Sequence, residues 1–124
     1  MTEIKNIYGE VIFTSASANH TVGHAVHLAL KAGVNLQHAD LANVDLQYAD
    51  LGGANFQGVN LCGADLQNAN LRCVSLRGAG LRGANLIKAD LSGADLEWAD
   101  LLGAKIKIGN RVFVLKEART DETA

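Results

Sequence analysis

From Val34 to Ile108 the apolar positions recur every five residues. The chain reads VNLQH ADLAN VDLQY ADLGG ANFQG VNLCG ADLQN ANLRC VSLRG AGLRG ANLIK ADLSG ADLEW ADLLG AKIKI, 15 units without insertion or deletion. The third residue is Leu in 13 units, Phe56 in one and Ile106 in another, and the first is always Ala or Val. A step of five residues turns an α-helix by about 140° net, so the leucines would spiral round it and form no buried stripe. On a strand, the first and third residues of a unit share a face, but an odd period throws the next unit onto the opposite face. A corner in every unit removes the conflict. Short extended segments joined by regular bends turn every Ala, Val and Leu inward, and the chain becomes a coil closed on its own axis.

The remaining positions fit such corners. The residue before the centre is Asp in seven units and Asn in five, short side chains that bond backbone amides as in Asx turns. The fifth residue is Gly in seven units, as a tight bend favours. Ser75, Gly80 and Lys105 depart from the Asp/Asn pattern, and their corners are expected to be less well tied. Together the units resemble the A(D/N)Lxx motif of the pentapeptide-repeat family over about three-fifths of the chain. The resemblance implies an all-β solenoid, a right-handed quadrilateral β-helix with four units per coil. The valines at 34, 44, 59 and 74 show no 20-residue echo, so four per coil rests on the resemblance. On that fold the units make just under four coils, a stack roughly 18 Å tall at a strand spacing of about 4.8 Å.

A coiled ladder has open ends, and repeat arrays close them with other structure. Residues 10–14 (EVIFT) read as a strand and 21–32 (TVGHAVHLALKA) as a helix, with Thr21 as N-cap and Gly33 as the stop. Val22, Ala25, Val26 and Ala29 are expected to face the first coil, which makes 1–33 an N-terminal strand-helix cap. Residues 34–108 form the β-helix. In 109–124, Gly109-Asn110 reads as a turn, 111–115 (RVFVL) as a strand, and KEARTDETA as a polar, disordered tail.

Composition narrows the function. A chain of 124 residues with 5% aromatics and no proline suits one domain with a narrow core of small side chains. The net charge of −2, with both signs interspersed, announces neither nucleic acid nor an anionic membrane. Cys62 and Cys73 match no zinc or redox spacing. With four units per coil they fall on opposite faces, too far apart for a disulfide. No apolar run is long enough for a signal peptide or a membrane span, and a cytoplasmic protein with free thiols is expected.

Candidate chemistry is sparse. His20, His24 and His27 lie at helical spacing, but no carboxylate or thiol beside them in sequence completes a metal site. They read as a solvated helix face. Arg72, Arg77, Arg82 and Lys88 fall one per face around a single coil. A nucleic-acid surface concentrates charge on one side, so this belt reads as charge balance against acids of neighbouring coils, with Arg77 stacking beside Glu97. No nucleophile-base constellation or phosphate-binding glycine loop is evident. No catalytic residue, cofactor or metal is expected, and a regular rod offers no concave pocket.

The leading expectation is a non-catalytic structural or protein-protein interaction module. The resemblance supplies an alternative, because some members of that family mimic duplex DNA and bind topoisomerases as gyrase inhibitors or quinolone-protection factors. Mimicry calls for contiguous acid. Asp95 and Glu97 stand against Arg77 on one face, Asp40 and Asp100 against Arg82 on the next. Asp45 and Asp65 stand against Lys88, Lys105 and Lys107 on the third, and Asp50 and Asp90 against Arg72 on the fourth. The faces net −1, −1, +1 and −1, and none is strongly acidic.

Outward apolar residues concentrate late in the array. Ile87, Trp98, Leu102 and Ile108 take outward positions in the last five units, and Val112, Phe113, Val114 and Leu115 follow. Residues 111–115 either cover their own last coil, which closes a monomer, or pack against the same segment of a second chain as a homodimer; the surface for that self-association is Trp98, Leu102, Ile108, Val112, Phe113 and Leu115.

Overall fold

The computed structural model describes residues 1–17 and 20–116. Through the repeats, parallel backbone bridges join the second residue of a unit to the residue 20 positions on, from Asp40–Asn60 and Asp45–Asp65 to Asn85–Lys105. Four units therefore complete one coil. The ladder uses three bonds per unit. The centre N–H donates to the next coil (Leu41 to the Asn60 carbonyl, 2.8 Å), and that residue's N–H reaches back (Asn60 to the Ala39 carbonyl, 2.9 Å). The fifth N–H donates as well, as Tyr48 does to the Gln67 carbonyl at 3.0 Å.

Each corner is a β-turn in which the centre carbonyl accepts from the first N–H of the following unit, as Leu66 does from Ala69 at 3.1 Å. The fifth residue has a positive φ, between 59° and 76°, in every unit from His38 to Gly103. The fourth does not, and this sign pattern is that of a type II turn. Every Asp and Asn at the second position accepts the N–H of the fourth residue, at 2.9 to 3.3 Å. Gly80 and Lys105 bring no such acceptor, and the Ser75 hydroxyl does not make this bond. The sequence leads one to expect short strands, yet between Leu36 and Ala104 only isolated bridges form. Two residues of five are spent on the turn, which leaves one residue per unit paired on both sides.

The core runs along the axis. Leu36, Leu41, Leu46, Leu51, Phe56 and the five leucines from Leu61 to Leu81 are all at most 2% exposed. Between them lie Ala and Val at the first positions, such as Val59, Ala64 and Val74, each fully buried. Leu91 and Leu96, in the last coil, are only partly buried.

At the start, β1 (Thr2–Lys5) pairs antiparallel with β2 (Val11–Ser15). Just after β1 the chain binds the first coil: Ile7 N–H donates to the His38 carbonyl, and the Lys5 carbonyl accepts from Asp40 N–H, both at 2.7 Å. Helix α1 (Val22–Lys31) begins at Thr21, whose hydroxyl accepts the His24 N–H. It ends in a Schellman motif, with Gly33 at φ 73°, Gly33 N–H on the Leu30 carbonyl and Val34 N–H on that of Ala29. Ala25, Val26 and Ala29 are fully buried, and Val22 packs against the core as expected. Gly23 rests on the Asp45 carbonyl so closely that a Cβ would collide with it.

At the other end the last unit forms β3 (Lys105–Ile108), which turns at Gly109-Asn110 into β4 (Arg111–Val114). Leu115 continues the contact, its N–H on the Ala104 carbonyl and its carbonyl on Gly103 N–H. The tail expected to be disordered lies, from residue 117 on, outside the described residues.

Candidate functional site

The arginine belt is consumed within the rod. Arg72 reaches Asp90 at 3.3 Å, Arg77 reaches Asp95 at 3.1 Å and Glu97 at 2.6 Å, and Arg82 pairs with Asp100. The fourth residue of one coil thus meets the acids one coil on, as charge balance predicts. Asp90 titrates below the usual carboxylate range, held there first by the Ser92 hydroxyl and N–H and then by Arg72. Asp95 is lowered by the Glu97 N–H and by Arg77. Arg77 and Arg82 are raised through their bonds to Asp95 and Asp100, with Glu97 adding to the first. In the first coil Asp40 and Asp50 use side-chain amides instead. Asn60 Nδ2 donates to Asp40 at 3.1 Å, and Asn70 Nδ2 to Asp50 at 2.9 Å.

His20 and His24 stand edge to face with ring centroids 4.4 Å apart, and His27 follows at 6.1 Å from His24. The Nδ1 of His20 is engaged by the Ser15 hydroxyl. Among the described residues no three His, Cys, Asp or Glu side chains are arranged to hold a metal ion. The described residues form a concave groove where the cap helix meets the rod, a place the repeat does not specify. A cleft of about 600 Å³ lies between α1 (Thr21, Gly23, His24, His27) and residues 45–51 of units 3 and 4. It lies beside the point where α1 meets the first coil, with Gly23 against the Asp45 carbonyl. Its carboxylates, Asp45 and Asp50, already accept the Gln47 and Gly52 amides, and the Thr21 hydroxyl accepts the His24 N–H.

The large apolar side chains at the C-terminal end are exposed: Trp98 by 59%, Val112 by 52%, Val114 by 54%, Phe113 by 41% and Leu102 by 36%. Leu115 differs from expectation. It is partly buried against the core, because its backbone pairs with Ala104 and carries the side chain over the last coil. The side chain of Ile108 lies outside what the structure describes. Val114 belongs with the exposed group on exposure alone. The expected bias of apolar surface toward this end is incomplete, since Ile7, Tyr8 and Val11 are exposed near the other end and Tyr48 in the first coil. Cys62 and Cys73 are unpaired, and Cys73 is exposed at a left-handed corner.

The family described as pentapeptide repeats matches with eight copies, over residues 32–63, 45–83 and 64–103. The chain belongs to the pentapeptide-repeat family. No match was found among curated proteins.

Several solved pentapeptide-repeat proteins resemble this one. A protein of the Arabidopsis thaliana thylakoid lumen is 34% identical over 52% of this chain and 45% of its own, with a TM-score of 0.52. One from Nostoc is 37% identical over 69% of this chain and 79% of its own, TM-score 0.45. One from the cyanobacterium Cyanothece is 38% identical over 55% of this chain and 50% of its own, TM-score 0.38. This pentapeptide-repeat chain thus spans less than half the length of the Arabidopsis protein. That protein also overturns the cytoplasmic location expected from the sequence, since its compartment is the thylakoid lumen. Cys62 and Cys73 are kept apart by the fold itself, so their free thiols say nothing about compartment. Among the described residues no helix is long and apolar enough to cross a membrane. The pentapeptide-repeat family suggests a non-enzymatic repeat module.

Proposed function

We propose that this pentapeptide-repeat protein is a non-catalytic module that presents a fixed surface to another protein. The coil winds right-handed, as in the family. Residues 1–33 close one end of the array 34–108, and residues 109–124 carry the strand and tail at the other.

One observation carries the reading. Trp98 holds a left-handed corner at φ 66° while 59% of it lies in water. An L-residue in that conformation costs about 1–2 kcal/mol, and aromatic side chains are enriched where one protein meets another. The seven glycine corners show how the same bend is made without either cost.

Trp98→Gly therefore separates surface from fold, because it removes the ring and relaxes the backbone. Parent and Trp98→Gly serve as baits in the native host's extract, with binding of the captured protein then measured using purified components. A partner bound by the parent and at least tenfold more weakly by the variant supports the reading. Equal binding by both, or enzymatic turnover by the purified chain, overturns it.

The DNA-mimic alternative draws no support from the exterior, where Arg72, Arg77 and Arg82 neutralise acids one coil on. A gyrase supercoiling assay with the purified chain is expected to show no inhibition.

A further inference from the structure

Among the described residues no strand pairs with the outer edge of β4, whereas β3 on its own outer side is bridged to the coil before it through Lys105 and Asn85. The sheet has two strands, β3 and β4. Leu115 turns its N–H and carbonyl toward the last coil, on Ala104 and Gly103. Backbone groups alternate along a strand, so Phe113 and Arg111, opposite Ile106 and Ile108, also point inward. The N–H and carbonyl of Val112 and Val114 therefore point away from β3. All four residues of β4 are exposed, whereas β2 at the other end half-buries Ile12 and Phe13 and buries Ser15.

Protected edges are very short or carry charges, proline or a bulge; β4 is short and has Arg111 at its start, but no proline. The β3–β4 register from Lys105–Val114 to Ile108–Arg111 is unbroken, and the exposed run is Val-Phe-Val. We infer that β4 pairs antiparallel with β4 of a second copy, about a two-fold axis through Phe113.

The register follows from the parity of the edge. With the axis at Phe113, Val112 faces Val114 of the other copy and Val114 faces its Val112. Both are hydrogen-bonded pairs, and together they make four backbone bonds. Phe113 faces its own copy as the closer, non-hydrogen-bonded pair between them. No like charges meet: Arg111 falls opposite Leu115, and Lys116 opposite Asn110. An axis at Val112 would instead run Gly109 and Asn110 of the turn into the ladder. Arg111 lies with its guanidinium carbon 5.9 Å from the Phe113 ring centre, on the strand face that holds both rings of the aromatic pair. Two β3–β4 hairpins then form one four-stranded sheet, with an isologous contact that closes at two copies.

This goes beyond the module reading, which can hold for a monomer. The test is sedimentation of the full chain across a range of concentrations, with two variants and a crosslinking set. The parent is expected to reach twice the mass of one chain. Val112→Pro removes an N–H that points away from β3, so the hairpin stays paired while the dimer weakens at least tenfold. Phe113→Lys sets two charges on the axis and does the same.

In a chain carrying Cys62→Ser and Cys73→Ser, Phe113→Cys is expected to link two copies on oxidation. The Cα separation of a non-hydrogen-bonded pair, about 4.5 Å, lies within disulfide range. Val112→Cys alone is expected not to link, since it faces Val114. A parent that stays monomeric at every concentration overturns the proposal. So does a dimer indifferent to both edge variants, or one linked through Val112→Cys rather than Phe113→Cys.

Discussion

A left-handed backbone is costly for any residue with a Cβ, yet His38, Asn43, Tyr48, Asn68, Cys73, Lys88 and Trp98 all adopt it. The ladder imposes it: the fifth N–H must reach the coil beneath while the chain turns a corner. Side chains placed there need room, and in three columns a glycine one coil on provides it. A Cβ at Gly58 would collide with the His38 ring and one at Gly63 with the Asn43 amide, and at Gly93 it would lie 3.1 Å from the Cys73 sulfur. Gly78, with φ 65°, has open space at the same position. Gly78→Ala should therefore cost only the backbone term, about 1–2 kcal/mol. Gly58→Ala should cost more, and adding His38→Ala should bring it back to the Gly78→Ala level in urea melts. Equal costs for the two glycines would refute the column. The seven glycine corners are readable from sequence, but nothing in Tyr48 or Trp98 signals a left-handed turn, and only the five-residue frame places them there. The acids give a second test. Asp90 is held below its usual range chiefly by Ser92. Its contribution to stability is therefore present above the unfolded value, about 3.9, and is lost as pH falls through the lower folded one. Ser92→Ala should raise the Asp90 pKa, followed by NMR titration, more than Arg72→Gln does.

At the scale of elements, the five-residue unit is cemented by its centre. Leu66→Ala should destabilise by about 2–5 kcal/mol, as large-to-small core changes do. Ala64→Leu should also destabilise, by about 1–3 kcal/mol, because the axis has no space for it. Thermal melts matching the parent's would show that these residues do not line the core. Helix α1 offers a test of sign. By intrinsic propensity, Gly23→Ala should stabilise by roughly 1 kcal/mol. Against the Asp45 carbonyl it should destabilise instead, with α1 displaced from the first coil and its amides exchanging faster. Most of α1 was legible: Thr21, Gly33 and the Val22-Ala25-Val26-Ala29 face mark its start, stop and buried side. Strand β1 was not. Thr2–Lys5 has little apolar pattern of its own and is fixed by pairing with β2 and by the contacts of Lys5 and Ile7 with the first coil.

For the whole molecule, the two ends decide solubility. The first coil buries Leu41, Leu46 and Leu51 to within 2%, and removal of residues 1–33 takes away the hairpin and helix that lie against it. The truncated chain should aggregate on refolding, measured by light scattering; a soluble, cooperatively melting product would mean that the coil closes itself. The repeat made the exterior charges legible once the family resemblance set four units to a coil, because a 20-residue coil sets Arg77 beside Glu97 by arithmetic. It could not disclose the cleft beside His24, which depends on where a non-repeating helix lies, nor the inward turn of Leu115, which depends on how β4 returns.

Four units to a coil also make chain length a setting of direction. Inserting or deleting one unit would leave every corner intact, yet it would swing everything downstream through a quarter turn about the axis. The β4 edge would then point to a different side of the molecule from α1, while four units added together would restore its heading and only lengthen the rod. Growth by single units thus re-aims whatever the far end carries, and growth by whole coils changes only how far away it is held.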